Sequence, residues 1–316
     1  MQSKMVAKIK CNQKWLQKIL EKYIIYKRGE KMINYVSLIM DIEKSRTYAT
    51  EDRIELQKYM SYCIDKLNEL FRENIEHDVT FSAGDELQGL FNDTTVAVMY
   101  FRLFEMLLKP VKLRAGIGVG EWTIKIDNGS STQQDGPAYH KARQAIEEVY
   151  RNTLHNVKIC SDKDDIMANH LINSSGILKN QQIYMQNIVL VILELLYPFV
   201  KWDMNVDKYQ IVKELLEIKF EYRIGRARHS YLRKERFVEN ERLYFSEMPF
   251  LKPIYIDGIL EEVEERIVVK NISSTIAEIL GCSRQNVDNI IKRGNSYKIR
   301  ELDYMALQYI EKMYRE

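Results

Sequence analysis

The chain has 316 residues, a length that allows two or three domains with hydrophobic cores of their own. Hydrophobic residues make up 46% and charged residues 29%, with only 5 prolines and 13 glycines, which excludes a disordered or collagen-like chain. The net charge of +2 argues against a protein that coats nucleic acid or lipid by bulk charge.

The first 31 residues carry a charge of +7, so the rest of the chain carries −5. Two interpretations stay open. The segment can form an amphipathic basic helix with Trp15, Ile19 and Tyr23 on one side. Alternatively, it is a mis-called leader, and the protein starts at Met32, directly before the first strand pattern.

Five segments from residue 34 onward have clear patterns: a strand at 35–40, a helix at 51–75, a hairpin at 79–91, a helix at 94–108 and a strand at 111–121. The first strand ends at Asp41, and Gly84 with Asp85 forms the hairpin turn. The order β-α-β-β-α-β is typical of a ferredoxin-like α+β fold.

Two carboxylates are expected to meet in such a sheet, because the first strand and the hairpin lie side by side at its centre. Asp41 and Asp85 would then supply hard oxygen ligands for Mg²⁺ or Mn²⁺. A simpler interpretation also stays open, in which Asp41 caps the segment that follows it and Asp85 only makes the turn.

Four motifs follow each other in an order that resembles class III nucleotidyl cyclases: DIEKS at 41–45, GDELQ at 84–88, RAGIGVGE at 114–121 and GPAYHKAR at 136–143. The resemblance runs from Met32 to about Asp165. Taken with the C-terminal half, the chain most resembles the SatD family of bacterial cytoplasmic proteins.

The resemblance to cyclases implies roles for residues of these motifs. It assigns metal binding to Asp41, Asp85 and the Ile42 carbonyl, nucleotide binding to Glu43, Lys44, Ser45 and Gly84, and charge stabilisation on a transferring phosphoryl group to Arg143. Because cyclase sites of this type are completed across a head-to-tail dimer, it also implies a homodimer.

Two positions depart from the cyclase pattern. Residues 80–83 contain no base-reading Lys, and Tyr139 stands where an Asn would orient the ribose. Purine cyclisation is therefore not expected, whereas binding of a nucleotide with Mg²⁺ and a pyrimidine substrate stay open.

The middle of the chain predicts a boundary near residue 170, then helices at 183–199 and 209–220. The apolar run at 188–200 is interrupted by Glu194 and Pro198 and is too short for a membrane span, so we expect a buried helix. Residues 219–236 carry a local +5. They either contact phosphates or form a solvated face. The four cysteines have no paired spacing and fit a reducing cytoplasm.

Residues 274–291 have the spacing of a helix-turn-helix. Ala277 lets two helices touch, Gly281 makes the turn, and Leu280, Val287 and Ile290 are expected to fill the core. Ser283 is expected to cap the second helix. The candidate DNA-binding residues are Ser283, Arg284, Gln285, Asp288, Asn289, Lys292 and Arg293. A helical pair used only for protein contact is the alternative, and residues 302–314 predict one more helix.

These patterns divide the chain into a basic extension (1–31), a cyclase-like ferredoxin-fold domain (32–170), a helical connector (171–270) and a helix-turn-helix domain (271–316). The leading hypothesis is a nucleotide- or ligand-responsive regulator with DNA and a nucleotide as partners. The alternative is a metal-dependent nucleotidyl cyclase or a related phosphoryl-transfer enzyme. A scaffold that binds neither nucleotide nor DNA is the third interpretation.

Overall fold

A five-stranded sheet between helices positions most of the residues considered above. The computed structural model describes residues 34–151, 154–202, 206–221, 252–260, 267–269 and 271–315. Its strands are β1 (Tyr35–Ile42), β2 (Ile75–Ala83), β3 (Glu86–Phe91), β4 (Leu113–Gly120), β5 (Val157–Cys160) and the short β6 (Phe199–Val200) and β7 (Ile254–Tyr255). Its helices are α1 (Thr50–Leu70), α2 (Thr94–Leu108), α3 (Pro137–Arg151), α4 (Ile166–Asn173), α5 (Gly176–Gln181), α6 (Tyr184–Leu196), α7 (Val206–Glu221), α8 (Ile272–Leu280), α9 (Arg284–Arg293) and α10 (Ser296–Tyr314).

The strands of the sheet follow the order β2-β3-β1-β4-β5. β1 runs antiparallel to both β3 and β4, so Met40 lies opposite Leu87 on one side and Ala115 on the other. β5 is parallel to β4 at the edge. The expected neighbourhood of the first strand and the hairpin is therefore confirmed, and the Gly84-Asp85 turn joins β2 to β3 as predicted.

Both faces of β1 are buried, as its apolar sequence predicted. Leu38 and Met40 belong to the core shared with α1 and α2, whereas Ile39 packs with Ala142 and Ile146 of α3 on the other face. A Cβ atom added at Gly118 of β4 would come within 2.1 Å of the Ala138 carbonyl oxygen. Glycine is therefore needed where α3 lies directly on the backbone of β4.

The C-terminal helices share a core with the sheet. The described residues from Tyr35 onward belong to one compact unit, in which Leu193 of α6 and Leu307 of α10 join the same hydrophobic cluster as Leu38. The predicted boundary near residue 170 lies at α4, and the α4–α5 junction just after it contains Ser175, which is fully buried.

Several element ends differ from the predicted ones. Helix α1 stops at Leu70 and β2 already begins at Ile75, and Asn68 of α1 bonds the Val79 backbone of β2 with both its amide and its carbonyl groups. Helix α6 ends at Leu196, since Pro198 disfavours a helical conformation at the residue before it. Helix α10 begins at Ser296, six residues earlier than expected. Within the described residues, none of the helices combines the length and apolarity needed to span a membrane.

Lys219 is not part of a solvated basic face. Its side chain is buried on α7, where Nζ donates to the backbone oxygens of Leu107 and Lys109, both at 2.7 Å. Burial lowers the pKa of Lys219 to about 7. The remaining basic residues of 219–236 and the extension at 1–31 lie outside the described residues.

Candidate functional site

Asp41 lies near the end of the central strand and is held by two side chains. In the antiparallel register it stands opposite Arg114 of β4. Arg114 donates from Nε to Oδ1 and from Nη2 to Oδ2, each at 3.0 Å, and the Tyr150 hydroxyl donates to Oδ2 at 3.0 Å. Both carboxylate oxygens are therefore engaged within the chain.

Burial and this pairing act in opposite directions on the pKa of Asp41. Burial raises the pKa of Asp41, Arg114 and Tyr150 act to lower it, and the charge of Asp85 adds a smaller increase. The Arg114 guanidinium also lies 4.3 Å from the centre of the Tyr150 ring. Because Met40 lies opposite Leu87, Asp41 and Asp85 lie at the same end of neighbouring strands, and the sheet brings the two predicted carboxylates into one neighbourhood.

The hairpin turn has the geometry that its sequence requires. Gly84 has a φ of 65°, a left-handed conformation that glycine adopts without steric cost. Its carbonyl oxygen accepts a hydrogen bond from Gln57 of α1 at 3.4 Å. Asp85 follows in the same turn and is half-buried.

The donor set around Asp41 does not fit Mg²⁺ or Mn²⁺ in the conformation observed. Asp41 already accepts three hydrogen bonds, and no group of three or more His, Cys, Asp or Glu residues suited to a metal occurs among the described residues. Divalent ions of this class need several free oxygen ligands. Metal binding by Asp41, the Ile42 carbonyl and Asp85 stays a prediction.

The predicted phosphate segment after Asp41 forms a tight turn. The Glu43 amide donates to the Lys112 carbonyl at 2.9 Å, so it is used within the fold. Lys44 has a φ of 58°, and its exposed ammonium lies 3.6 Å from the Glu43 carboxylate. Ser45 begins a single turn of 3-10 helix.

Arg143 is paired with the hairpin. It donates from Nη1 to Glu86 Oε2 at 2.6 Å and from Nη2 to Oε1 at 2.8 Å, and Ser82 donates to the same carboxylate. The Arg143 hydrogen bonds lower the pKa of Glu86. Sequence reasoning missed this partner, although Glu86 directly follows Asp85. Tyr139, at the position of the missing Asn, is buried on α3 with its hydroxyl 3.5 Å from Ser131 Oγ.

Helices α8 and α9 form a compact pair around a glycine turn. Gly281 ends α8 with a φ of 61°, and Ser283 caps α9 by accepting the Asn286 amide at 3.2 Å, as predicted. Val287 and Ile291 are buried, so the side of α9 that carries them faces the core. Leu280 and Ile290, which were expected in the core, are only half-buried.

The polar side of α9 is open to solvent. All seven candidate DNA-binding residues are exposed: Ser283, Arg284, Gln285, Asp288, Asn289, Lys292 and Arg293. The Arg284 and Asp288 side chains are 65% and 54% exposed and lie 3.8 Å apart. On the opposite side, Gln182 donates to the Gly294 carbonyl at 2.7 Å and ties the end of α9 to the body.

Buried ionic residues fix α10 beneath this pair. We call them the buried charge cluster: Arg102, Glu105, Lys179, Glu194, Arg300 and Asp303. Arg102 of α2 contacts Glu194 and, at 2.6 Å, Asp303. Arg300 contacts Glu194, while Lys179 and Ser175 contact Asp303. The cluster has three cations and three anions, so its charges balance. Its only sequence signal was Glu194 inside an apolar run.

A family model described as the SatD family matches residues 35–223. A comparison with curated protein sequences finds no match. Among solved structures, a bacterial light-regulated adenylyl cyclase has 18% identity and a TM-score of 0.30, and the match covers 41% of this chain and 76% of that one. The catalytic core of a rhodopsin-guanylyl cyclase with converted specificity, in complex with ATPαS, has 12% identity and a TM-score of 0.28, with 37% of this chain and 72% of that chain covered. The family match begins at β1, extends past the end of α7 and spans more than half of the sequence, and the chain therefore belongs to the SatD family.

Proposed function

We propose that this SatD-family chain is a DNA-binding regulator that responds to a nucleotide or another phosphorylated ligand. The observation that carries the proposal is the exposed polar side of α9 beside its buried stripe of Val287 and Ile291. A helix fixed on one side and open on the other can enter a major groove without rearranging the core.

The residue types on α9 suit base and phosphate contacts. Arg284, Gln285 and Asn289 have the bidentate donor and acceptor geometry that reads guanine and adenine edges. Lys292 and Arg293 at the other end of the helix supply charge for phosphates. The Gly281 turn and the Ser283 cap support the helix-turn-helix interpretation. In a homodimer, two such helices would read a palindromic site.

The sheet supports a ligand-sensing role better than a catalytic one. Its strand order supports the ferredoxin-like interpretation, and the neighbourhood of Asp41 and Asp85 supports a polar ligand site. Asp41 and Arg143, however, are neutralised by partners within the chain. The buried charge cluster joins α2, which covers the sheet, to α10, so a physical connection runs between the two regions.

Selection of bound fragments from sheared genomic DNA tests the proposal. The full chain is incubated with the fragments at about 150 mM salt, and the bound fragments are sequenced and footprinted. We expect a shared motif with an inverted repeat and half-sites about one helical turn apart. Recovery of fragments with no common motif, and equal affinity for random duplexes, would contradict it.

A second candidate is a metal-dependent nucleotidyl cyclase or a related phosphoryl-transfer enzyme; the register that places Asp41 and Asp85 at the same end of neighbouring strands supports it, and the pairing of Asp41 with Arg114 opposes it. Its test is to incubate the full chain with each of the four nucleoside triphosphates and Mn²⁺ or Mg²⁺. Turnover by the parent that Asp85→Asn abolishes would establish the enzyme. Absence of turnover together with sequence-specific DNA binding would favour the regulator.

A further inference from the structure

A polar cavity of about 330 Å³ lies beside the Asp41 site, between the start of β4 and helix α5. Arg114 and Tyr150 form the wall of the cavity that faces Asp41, and Asn180 of α5 also lines the cavity. The predicted residues of the hairpin, Asp85 among them, do not line it. The cavity therefore adjoins the predicted cyclase-like site, with which it shares the Arg114–Tyr150 wall and Glu43, but it does not include the hairpin.

Positive charge dominates this cavity. Lys109, Lys112 and Arg114 line it. Burial lowers the pKa of Lys109 to about 8; the charge of Glu105 acts against this lowering, and the charges of Lys179 and Lys112 add to it. Lys109 donates to the Asn180 side chain at 2.8 Å, whereas Lys112 is exposed and has no side-chain partner among the described residues. Because Arg114 is paired with Asp41, the cation of this lining that stays unpaired within the described part of the chain is Lys112.

The two carboxylates on the lining already have partners. Glu105 lies 3.5 Å from Lys179 and accepts a hydrogen bond from Asn156. Glu43 lies 3.6 Å from the Lys44 ammonium. Glu105 offsets part of the charge of Lys109, but the lining carries three cations against two carboxylates, so an excess of positive charge remains.

His155 provides a second, independent observation. It lines the cavity, and its Nδ1 atom is buried without a hydrogen-bond partner among the described residues. Buried polar atoms in folded proteins nearly always have a partner. An uncharged polar group of a ligand would supply one, since burial lowers the pKa of His155 and favours the neutral ring.

We propose that this cavity binds a small organic phosphate, with Lys109 and Lys112 supplying charge for the phosphate and His155 a hydrogen bond to the organic part. The volume lies at the lower end of the range for ligand pockets, and the lining is too polar for a lipid. This site specifies the chemical class of the ligand in the proposed function. Regulation of DNA binding by that ligand rests on the proposed function, whereas binding of the ligand to the cavity does not.

The test uses the full chain with ribose 5-phosphate as the probe, measured by calorimetric titration at constant ionic strength. Ribose and inorganic phosphate are separate arms. We expect binding of ribose 5-phosphate, no binding of ribose, and weaker binding of inorganic phosphate. Lys112→Gln should weaken ribose 5-phosphate binding about tenfold, the effect of losing roughly one charged contact. Lys58→Gln, an exposed lysine on α1, should leave it unchanged.

Three results would overturn the site: equal affinity of Lys112→Gln and the parent, binding of ribose as tight as that of its phosphate, or loss of binding in Asp85→Asn, which would locate the ligand at the carboxylates instead. Inorganic phosphate that binds as tightly as ribose 5-phosphate would contradict the assigned contact of His155. Because Arg284 lies on α9, Arg284→Ala separates the two proposals: it should weaken specific DNA binding and leave the ribose 5-phosphate titration unchanged.

Discussion

The charged residues of the sheet region and those of helix α9 have opposite surroundings. In the sheet region, Asp41 is paired with Arg114 and Arg143 with Glu86, and each pair has two hydrogen bonds in parallel. On α9, Arg284 has one loose contact to Asp288 at 3.8 Å, and both side chains are more than half exposed.

This difference indicates where an external partner can bind without competing against the fold. A bidentate pair at partly buried positions resists exchange with a ligand, because breaking it leaves a desolvated charge. An exposed, loosely paired arginine gains little from its neighbour and loses little by turning to a phosphate or a base. The comparison therefore favours α9 over Asp41 and Arg143 as the surface that contacts a macromolecule.

The largest expected effect comes from breaking the buried charge cluster, whose residues are the most fully buried and paired of the charged residues compared. Asp303→Ala leaves Arg102 and Lys179 without their shared carboxylate and should lower the free energy of unfolding by about 3–5 kcal/mol. Urea unfolding measures this loss of unfolding free energy. The matched control is Glu301→Ala on the same helix, whose exposed pair with Lys298 is worth at most about 1 kcal/mol. Similar losses for both variants would contradict the assignment.

Lys219 is a further buried charged residue, and the pH dependence of the free energy of unfolding tests its burial. Its folded-state pKa of about 7 lies below the ordinary value of 10.5, so the unfolded chain binds more protons between these values. Stability should therefore rise with pH across that window, by at most about 1.4 kcal/mol per pH unit from this residue. Urea unfolding between pH 7 and pH 9.5 should show a shallower rise for Lys219→Met than for the parent.

The groups near Lys219 are Cys63 and Lys109. Burial raises the pKa of Cys63 to about 12, so the thiol stays protonated in the folded state throughout the measurement, and its titration in the unfolded chain is the same in both proteins. Lys109, with a pKa of about 8, also titrates in this window; removal of the neighbouring Lys219 charge relieves repulsion on Lys109, so its contribution also makes the rise shallower in the variant. Parallel stability curves for the parent and Lys219→Met would show that Lys219 is not buried as described.

Arg114→Met asks whether pairing keeps a metal away from Asp41. Loss of the two hydrogen bonds should cost about 2 kcal/mol in unfolding free energy. With Asp41 released, Mg²⁺ should raise the melting temperature of the variant more than that of the parent, because ligand binding stabilises the folded state. The double variant Arg114→Met, Asp41→Asn is the control and should lose the Mg²⁺ response. An equal response of the parent and Arg114→Met would refute the blocking role of Arg114.

The smallest effect is expected at the start of α9. Ser283→Ala removes the acceptor of the Asn286 amide and should cost about 1 kcal/mol. Ser283→Asp keeps an acceptor at this position and should retain most of the stability. Thermal unfolding compares the two variants, and equal destabilisation would mean that the cap does not hold the helix.

Much of the sheet was predictable because its strands and helices bury regular apolar patterns. The predicted helix at 94–108 matches α2, and the turn at Gly84 was specified by its sequence. The neighbourhood of Asp41 and Asp85 followed from strand order alone. Local periodicity reports which residues face a core, glycine marks the turn, and the order of the elements limits the order of the strands.

The partners of the charged residues were not predictable in the same way. Arg114 faces Asp41 only because of the register between β1 and β4, which one sequence does not specify. Glu86 and Arg143 are 57 residues apart. Lys219 resembled a surface lysine in the sequence, and its burial follows from how α7 packs near the end of α2. Long-range pairing decides these contacts, and composition gives no signal of it.

The most direct test of the central claim is the affinity of the full chain for a selected genomic fragment. Parent, Arg284→Ala and Lys58→Ala are compared at one fixed salt concentration, with a random duplex of the same length as reference. We expect Arg284→Ala to weaken binding to the selected fragment by about 10- to 100-fold, the value of roughly one bidentate base contact, and Lys58→Ala to bind like the parent. Equal affinities of Arg284→Ala and the parent for the selected fragment would contradict the account.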